Sequence, residues 1–277
     1  MKDKNMANEY SQVRYWVNDL PKRGITTFAL KEAENQFPKK PVASVRRALA
    51  RLSNADIIQS VWRGFYVITL PEYGLKGVTP PIDYIDQLMR HLGCGYYIAL
   101  LTAASYSGAN HQAPQVFQII CDDIIHIKNK NGVKIEPIYK KRIPIKYLKE
   151  INTRTASVRI STPELTAVDL LLYSMRVGGI NRVATILYEL AEVMDFTCVD
   201  TDFFIRIPAT AIQRLGFLLE IILDEKVLAA DLYYIAKHVY KKFLPTPLVS
   251  MKNKSSSISN KNKKWNIIVN YEVESDL

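Results

Sequence analysis

The chain has 277 residues, of which 48% are hydrophobic and 23% are charged, close to the averages of roughly 45–50% and 25% for globular proteins. This composition excludes a globally disordered or collagen-like chain. No apolar run approaches the ~18 residues that a membrane-spanning helix needs, and the polar residues 1–5 have no signal-peptide pattern behind them. We therefore expect a cytoplasmic protein. The net charge of +10 favours a polyanionic partner.

Residue types that carry catalysis or bind metals show no useful pattern. The three cysteines, Cys94, Cys121 and Cys198, are far apart and form no CxxC pair, which argues against a disulfide framework or a zinc site. The four histidines are scattered, and the sequence has no phosphate-binding glycine motif, zincin motif or nucleophile elbow. We expect no catalytic residues, no metal and no cofactor.

The first 40 residues predict two short helices. Apolar residues recur at helical spacing over 8–20, and Pro21 and Gly24 end that helix. Thr26 or Thr27 can cap a second helix, which ends at Pro38.

A third helix follows Pro41, and a hairpin follows the helix. Val45, Ala48, Leu49 and Leu52 have the i, i+3, i+4, i+7 spacing of a buried helix face. Arg47 and Arg51 then lie one turn apart on the opposite face, with Ser44 and Arg46 beside them. Two β-prone runs, 57–62 and 65–70, flank Arg63-Gly64 and predict a hairpin.

Three helices followed by a hairpin predict a winged helix-turn-helix over residues 1–70. Six Lys or Arg and one acid, Asp56, lie between Pro38 and Arg63, which favours DNA binding over a small helical domain with a merely soluble surface. A helix can enter the major groove, where arginine can bind guanine through two hydrogen bonds. The candidate DNA-binding residues are Lys39, Lys40, Ser44, Arg46, Arg47, Arg51 and Arg63.

A linker and a larger α+β domain complete the predicted organisation. Residues 71–82 contain three Pro and two Gly and have no helical period, which is typical of a linker. For residues 83–277 we expect a mixed or antiparallel sheet with several helices. The predicted helices are 84–92, 96–107, 163–174, 180–194, 208–223 and 227–243. The predicted strands are 115–121, 124–130, 133–139, 156–160 and 265–271.

Three local signals support this reading of the second domain. Asn131-Gly132 predicts a hairpin between 124–130 and 133–139. Thr162 is the expected N-cap of the helix that begins at Pro163. Residues 251–264 are a Lys/Ser/Asn-rich segment, which predicts a mobile loop.

A second basic cluster falls within this domain. It comprises Lys128, Lys130, Lys134, Lys140, Lys141, Arg142, Lys146 and Lys149, with Glu136 as the only acid inside it. We take Lys140, Lys141 and Arg142 as a candidate basic surface; a solvated hairpin face is the alternative.

Two acidic patterns suggest magnesium chemistry only weakly. Asp122 and Asp123 near Glu136 could form a nuclease cluster, but no ExK follows Glu136, and paired aspartates at a strand end are common in turns. Asp200 and Asp202 form a DxD pair without a phosphate-binding turn upstream. A nuclease remains an alternative hypothesis.

Several separated motifs stand out in the larger predicted domain. They are YYIALLTAA at 96–104, GANHQ at 108–112, STPELTAVDL at 161–170, GGI at 178–180, QRLGFLLE at 213–220 and WNIIVN at 265–270. In this order they resemble the AbiEi antitoxin family. The resemblance extends from about residue 10 to 277, and the polar segment 251–264 is an insertion in it.

The resemblance implies a function that the residues alone do not. It implies the antitoxin of a type IV toxin–antitoxin, or abortive-infection, system against phage. It further implies a nucleotidyltransferase toxin encoded beside it, usually without a stable complex, and repression of its own promoter through double-stranded inverted repeats. Direct contact with the toxin is the alternative.

Arg214 lies in one of these motifs and in an otherwise apolar predicted helix. A cation in such a position is expected to be paired. We expect an ion pair with an internal acid, Asp169 or Glu164.

Overall fold

The computed structural model describes residues 2–73, 78–109, 114–127, 132–250 and 260–274, with the backbone alone for residues 2–9. They form an α+β structure, as predicted. Within this part of the chain, no helix is both long and apolar enough to cross a membrane.

The chain divides into two compact units. The first comprises Met1–Tyr97, Gln115–Ile143 and Glu150–Arg159, and the second comprises Ile98–Pro114, Pro144–Lys149 and Ile160–Leu277. Segment 71–82 lies inside the first unit. The division into residues 1–70 and 83–277 stays a prediction.

Three helices and a small sheet form the N-terminal part of the first unit. The helices are α1 (Lys2–Asp19), α2 (Leu30–Gln36) and α3 (Val42–Asn54). The strands are β1 (Thr27–Ala29), β2 (Ile58–Trp62) and β3 (Phe65–Ile68), in the antiparallel order β1-β3-β2. The three helices and the β2–β3 hairpin are as predicted. Thr27 lies in β1 and does not cap α2, because its backbone pairs with Val67.

The core under these elements is apolar and aromatic. Val45, Leu49 and Leu52 of α3 are at most 1% exposed, which confirms the buried face predicted from the spacing. Trp16 packs edge-on against Phe28, with ring centroids 5.1 Å apart. Because residues three and four positions apart share one face of a helix, burial of these side chains leaves the opposite face of α3 in solvent.

Segment 71–82, predicted as a linker, is anchored at both described ends. Arg154 forms ion pairs with Glu72 and with Asp83, the latter at 3.3 Å. Tyr73 also donates a hydrogen bond of 2.7 Å to Asp83. Residues 74–77 lie outside the described part.

A five-stranded sheet has the order β6-β5-β4-β8-β7. Its strands are β4 (Tyr96–Ile98), β5 (Val116–Cys121), β6 (Lys134–Tyr139), β7 (Leu148–Asn152) and β8 (Ser157–Ser161). Both β5–β6 and β4–β8 are parallel pairs.

Two predictions for this region are wrong. Residues 96–107 are not one helix, because β4 precedes helix α5 (Leu100–Tyr106). Residues 124–127 form no strand, and β6 pairs with β5 in parallel instead of completing an Asn-Gly hairpin. Residues 128–131, which include the Asn of that signal, lie outside the described part.

Five further helices agree with the predictions to within a few residues. They are α4 (Ile85–Leu92), α6 (Pro163–Leu172), α7 (Ile180–Ala191), α9 (Ala209–Phe217) and α10 (Lys226–Val239). The short helix α8 (Thr201–Ile205) was not predicted from the sequence. A π-helical turn, Leu218–Ile222, continues α9. Thr162 caps α6 by accepting a hydrogen bond from the Leu165 amide, as predicted.

A small mixed sheet closes the second unit. Its strands are β9 (Thr246–Pro247), β10 (Asn260–Asn262) and β11 (Ile267–Val269), in the order β10-β11-β9. Residues 260–262 thus form a strand inside the segment predicted as a mobile loop, while 251–259 lie outside the described part. The fully buried Trp265 packs beside α9 and donates through Nε1 to Glu220 at 2.5 Å.

Candidate nucleic-acid interface

The exposed face of α3 presents two arginines one turn apart. Arg47 and Arg51 are both exposed, opposite the buried face of the helix. Arg47 Nε donates 3.3 Å to the carbonyl oxygen of Ala43 within the same helix. Both guanidinium groups keep donors facing solvent, and such donors can bind the N7 and O6 acceptors of guanine.

The two residues predicted beside this pair differ in their surroundings. Arg46 is exposed and forms a 3.3 Å ion pair with Glu34 of α2, a type of surface pair that contributes about 0–1 kcal/mol. The Ser44 side chain is buried, at 8% exposed. Its contact with DNA stays a prediction, and the small exposed area leaves little of this side chain for such a contact.

Two of the other three basic candidates lie in the α2–α3 connection, and the third lies at the β2–β3 turn. Lys39 is exposed in the α2–α3 connection. The Lys40 ammonium lies 4.9 Å from the Phe37 ring centroid, and the side chain is half-buried. Arg63 is exposed at the β2–β3 turn, where Gly64 has a φ of +77°. These positions suit contacts to phosphates more than to base edges.

The carboxylates of the nuclease alternative have other partners. Asp122 accepts a 2.8 Å hydrogen bond from the Gly95 amide, and Asp123 accepts one of 2.7 Å from the Ile124 amide. Glu136 accepts from the Gln118 side chain. In the described ranges, no group of three His, Cys, Asp or Glu side chains is placed to hold a metal ion. Asp122 and Asp123 are thus typical of turn residues after a strand, and Glu136 lies within β6.

One of the three residues of the candidate basic surface in the larger domain already has a hydrogen-bond partner in the protein. Lys140 Nζ donates to the Tyr97 hydroxyl at 3.2 Å, whereas Lys141 and Arg142 are exposed. In the wider cluster, Lys146 pairs with Asp200, and Lys128 and Lys130 lie outside the described residues. The free charge of this surface therefore rests on Lys141 and Arg142.

Asp200, the first residue of the DxD pair, caps a helix. Its Oδ1 accepts from the Asp202 amide at 3.1 Å, at the start of α8. Lys146 and Tyr147 donate to the same carboxylate. These two donors, Lys146 first, lower the pKa of Asp200 to about 2.

This pairing predicts a pH dependence of stability. Because the folded pKa lies below the ordinary value of about 3.9, ionised Asp200 stabilises the fold above pH ~4, and the contribution disappears as the pH falls through about 2. Asp200→Asn keeps a good N-cap residue but removes the charge. The wild type should have the higher Tm at pH 6, and the difference should shrink toward pH 2. A difference that does not vary with pH would contradict the ion pair.

A lysine cleft in the second unit was not recognised in the sequence. It has a volume of about 450 Å³ and is lined by aromatic and basic residues from α10, the segment after it and the loop between β10 and β11. The lysines are Lys237, Lys241, Lys242, Lys261, Lys263 and Lys264. Lys261, Lys263 and Lys264 stand close together in the sequence and could have indicated a basic surface, but they lie in the polar segment 251–264 that predicted a mobile loop. Lys264 is paired with Glu220 at 2.8 Å.

Comparison with known families gives a match within the larger domain. The model of the family described as AbiEi antitoxin C-terminal domain matches residues 97–221. This stretch of the chain is similar to that domain, and we refer to it below as the AbiEi domain. This match supports the interpretation of the protein as an antitoxin of an abortive-infection system. An antitoxin implies a toxin as its partner. This family is regulatory rather than catalytic.

A solved structure is similar over nearly the whole chain. It is the crystal structure of the RV2827C protein from Mycobacterium tuberculosis, with a TM-score of 0.61 and 15% sequence identity, over 91% of this chain and 89% of that chain. At this identity the likeness concerns the fold alone. A search of the curated proteins found no match.

The motifs that carried the resemblance have identifiable structural roles in the AbiEi domain. Glu164, near the start of α6, accepts a 2.9 Å hydrogen bond from the Asp195 amide. Arg214 Nε donates 3.1 Å to the Pro247 carbonyl oxygen. The predicted ion pair of Arg214 with Asp169 or Glu164 is wrong, because a backbone carbonyl takes its place.

Proposed function

We propose that the chain is the antitoxin of a type IV toxin–antitoxin system and that it represses its own operon. In this proposal residues 1–70 are a winged helix-turn-helix that binds double-stranded inverted repeats in the promoter. The AbiEi domain counteracts a nucleotidyltransferase toxin without forming a stable complex with it. The match of residues 97–221 is the observation that supports the antitoxin function most directly.

The geometry of α3 supports the DNA-binding part of the proposal. Its buried face is apolar and its exposed face carries Arg47 and Arg51. A helix of this kind fits the major groove, which is about 12 Å wide. Lys39 in the α2–α3 connection and Arg63 at the β2–β3 turn are exposed, and in this proposal they contact phosphates of the duplex.

An inverted repeat suits a domain of this size. One winged helix neutralises few phosphates, so a single copy should bind weakly and with little salt dependence. Two copies on adjacent half-sites raise occupancy, through contact between bound molecules or through effective concentration. Half-sites separated by about one helical turn are therefore expected.

Lys39 is proposed to contact phosphate and not bases. Lys39→Ala should weaken binding to operator and unrelated DNA by the same factor and reduce the slope of log K against log salt by about 1. Titration of both DNAs by fluorescence anisotropy at several salt concentrations measures this. A loss confined to the operator would assign Lys39 to base reading instead.

Protection from the toxin is proposed to depend on the basic surface of Lys141 and Arg142. Reversing both charges should lower survival during toxin expression, while operator binding changes little. Lys140 stays unchanged, because its bond to Tyr97 would confound the result. The same reversal at the exposed neighbours Lys22 and Arg23 is the matched control.

Two outcomes of that experiment would contradict the proposal. Full protection by the Lys141→Glu, Arg142→Glu variant would make this surface a solvated face. Equal loss in the Lys22→Glu, Arg23→Glu control would assign the effect to net charge. A stable complex with the toxin in a pull-down would favour the alternative, neutralisation by direct contact.

A nuclease is the remaining alternative. The hydrogen bonds of Asp122, Asp123 and Glu136 do not favour it. Incubation of the purified protein with DNA and magnesium tests it directly. We expect unchanged DNA, and cleavage that is lost in Asp122→Asn would overturn this expectation.

A further inference from the structure

A cavity in the second unit has one cation and no acid among the described residues that line it. Its volume is about 350 Å³, within the range of ligand pockets. It is bordered by the C-terminal end of α6, the start of α7, Arg214 of α9 and the segments after β9 and β11. Tyr271, Ser174 and Ser250 add hydroxyl groups. The charge on the described lining residues is therefore positive, which favours an anionic ligand.

Arg214 is the charged group of this cavity. Its Nε is used by the Pro247 carbonyl, and in the described part of the chain no carboxylate pairs with it. Burial lowers its pKa, which is the direction expected for a partly desolvated cation without an anion. The terminal nitrogens of the guanidinium keep donors for an anionic partner.

The N-terminus of α7 borders the same cavity. Gly178 and Gly179 have φ values of +100° and +92°, and no side chain caps the helix at Gly179. The first helical bond is made by the Val183 amide, so the amides of Ile180 and Asn181 have no acceptor within the helix. Both residues line the cavity. A helix of this length carries partial positive charge at that end.

Part of the wall is apolar. Leu171, Leu172 and Met175 border one side of the cavity, and Leu248 and Val249 border another. Inorganic phosphate alone would leave these side chains without contact. An organic group attached to the charged head would bury them.

We infer that this cavity binds a small organic anion, with its carboxylate or phosphate on Arg214 and the α7 amides and its apolar body against the leucines. The inference does not depend on DNA binding or on toxin neutralisation.

Backbone amide NMR on the full chain tests the site at its own residues. Sodium hexanoate is the main probe, butyl phosphate carries the alternative head group, and acetate lacks the apolar body. Hexanoate or butyl phosphate should shift the Ile180 and Asn181 amides with saturation, and hexanoate should bind about tenfold or more tightly than acetate. The tighter of the first two identifies the head group.

Variants separate the arginine from general charge effects. Arg214→Gln should weaken hexanoate binding by about tenfold or more, because a charge-assisted pair is lost. Arg206→Gln, at an exposed arginine of the same unit that does not line the cavity, should bind as the wild type does. If Arg214→Gln does not fold, Arg214→Lys keeps the charge and should retain weaker binding.

Clear results would overturn the inference. Absence of saturable shifts at Ile180 and Asn181 in the wild type would exclude the site whatever the variants do. Equal binding by Arg214→Gln would exclude Arg214 as the anchor. Equal affinity for hexanoate and acetate would exclude the apolar part.

Discussion

The Arg47→Ala, Arg51→Ala double variant is expected to lose specific operator binding. A single arginine bound to a guanine edge contributes about 1–3 kcal/mol of discrimination, so even one lost contact weakens operator binding by roughly fivefold to 150-fold. Both residues lie on the exposed face of α3, and their removal leaves the buried Val45, Leu49 and Leu52 intact. Stability should therefore change little. Fluorescence anisotropy with operator and scrambled DNA measures the ratio.

A control must remove the same charge from the same unit. Arg14 of α1 and Arg23 are exposed and lie outside α3. The Arg14→Ala, Arg23→Ala variant should keep the operator-to-scrambled ratio within about threefold of the wild type, because it removes long-range charge alone. Wild-type affinity in the α3 double variant would mean that another surface docks on the DNA.

Gly216→Ala is expected to destabilise the second unit strongly. In the middle of a helix this change normally adds roughly 0.5–1 kcal/mol of stability. Here an added Cβ would lie 2.1 Å from Cη2 of the fully buried Trp265, a distance that no packing tolerates. Overpacking costs typically 1–3 kcal/mol and occasionally more. We expect a net loss of about 2 kcal/mol or more in urea unfolding, with the sign opposite to helix propensity.

A double-mutant cycle identifies the cause. Trp265→Leu removes the ring atoms that the new methyl group would meet, although it also destabilises the protein by itself. Adding Gly216→Ala to that variant should cost much less than adding it to the wild type. If the cost is the same in both backgrounds, the conflict with Trp265 is not the reason.

The sequence predicted the elements whose stability comes from their own periodicity. The apolar spacing of α3 placed Arg47 and Arg51 on the exposed side, and Thr162-Pro163 located the start of α6. By contrast β1 has only three residues, and it exists because Thr27, Phe28 and Ala29 pair with β3. Short strands of this kind are set by partners distant in sequence.

The sheet of the larger domain shows the same limit. A short apolar run such as 96–104 fits a buried strand as well as a helix, and periodicity alone cannot separate the two. The Asn-Gly signal at 131–132 favoured a hairpin, but β6 pairs in parallel with β5 along six residues. Long-range pairing overrode the local turn preference.

The candidate site was predictable in its charge but not in its contacts. Ser44 shared the helix face with arginines in sequence, yet its side chain is buried. Arg214 was expected to need an acid, and the carbonyl of Pro247 accepts its hydrogen bond instead. Because every residue has a backbone carbonyl, the residue types do not reveal which carbonyl accepts such a hydrogen bond.

A footprint of the full chain on the DNA upstream of its own gene tests whether the protein represses its own operon. We expect protection of two half-sites of an inverted repeat, about one helical turn apart, on the same face of the duplex. The Arg47→Ala, Arg51→Ala variant should lose this protection at the same protein concentration, and the Arg14→Ala, Arg23→Ala control should keep it. Uniform weak protection without half-sites, or an unchanged footprint from the α3 variant, would contradict this expectation.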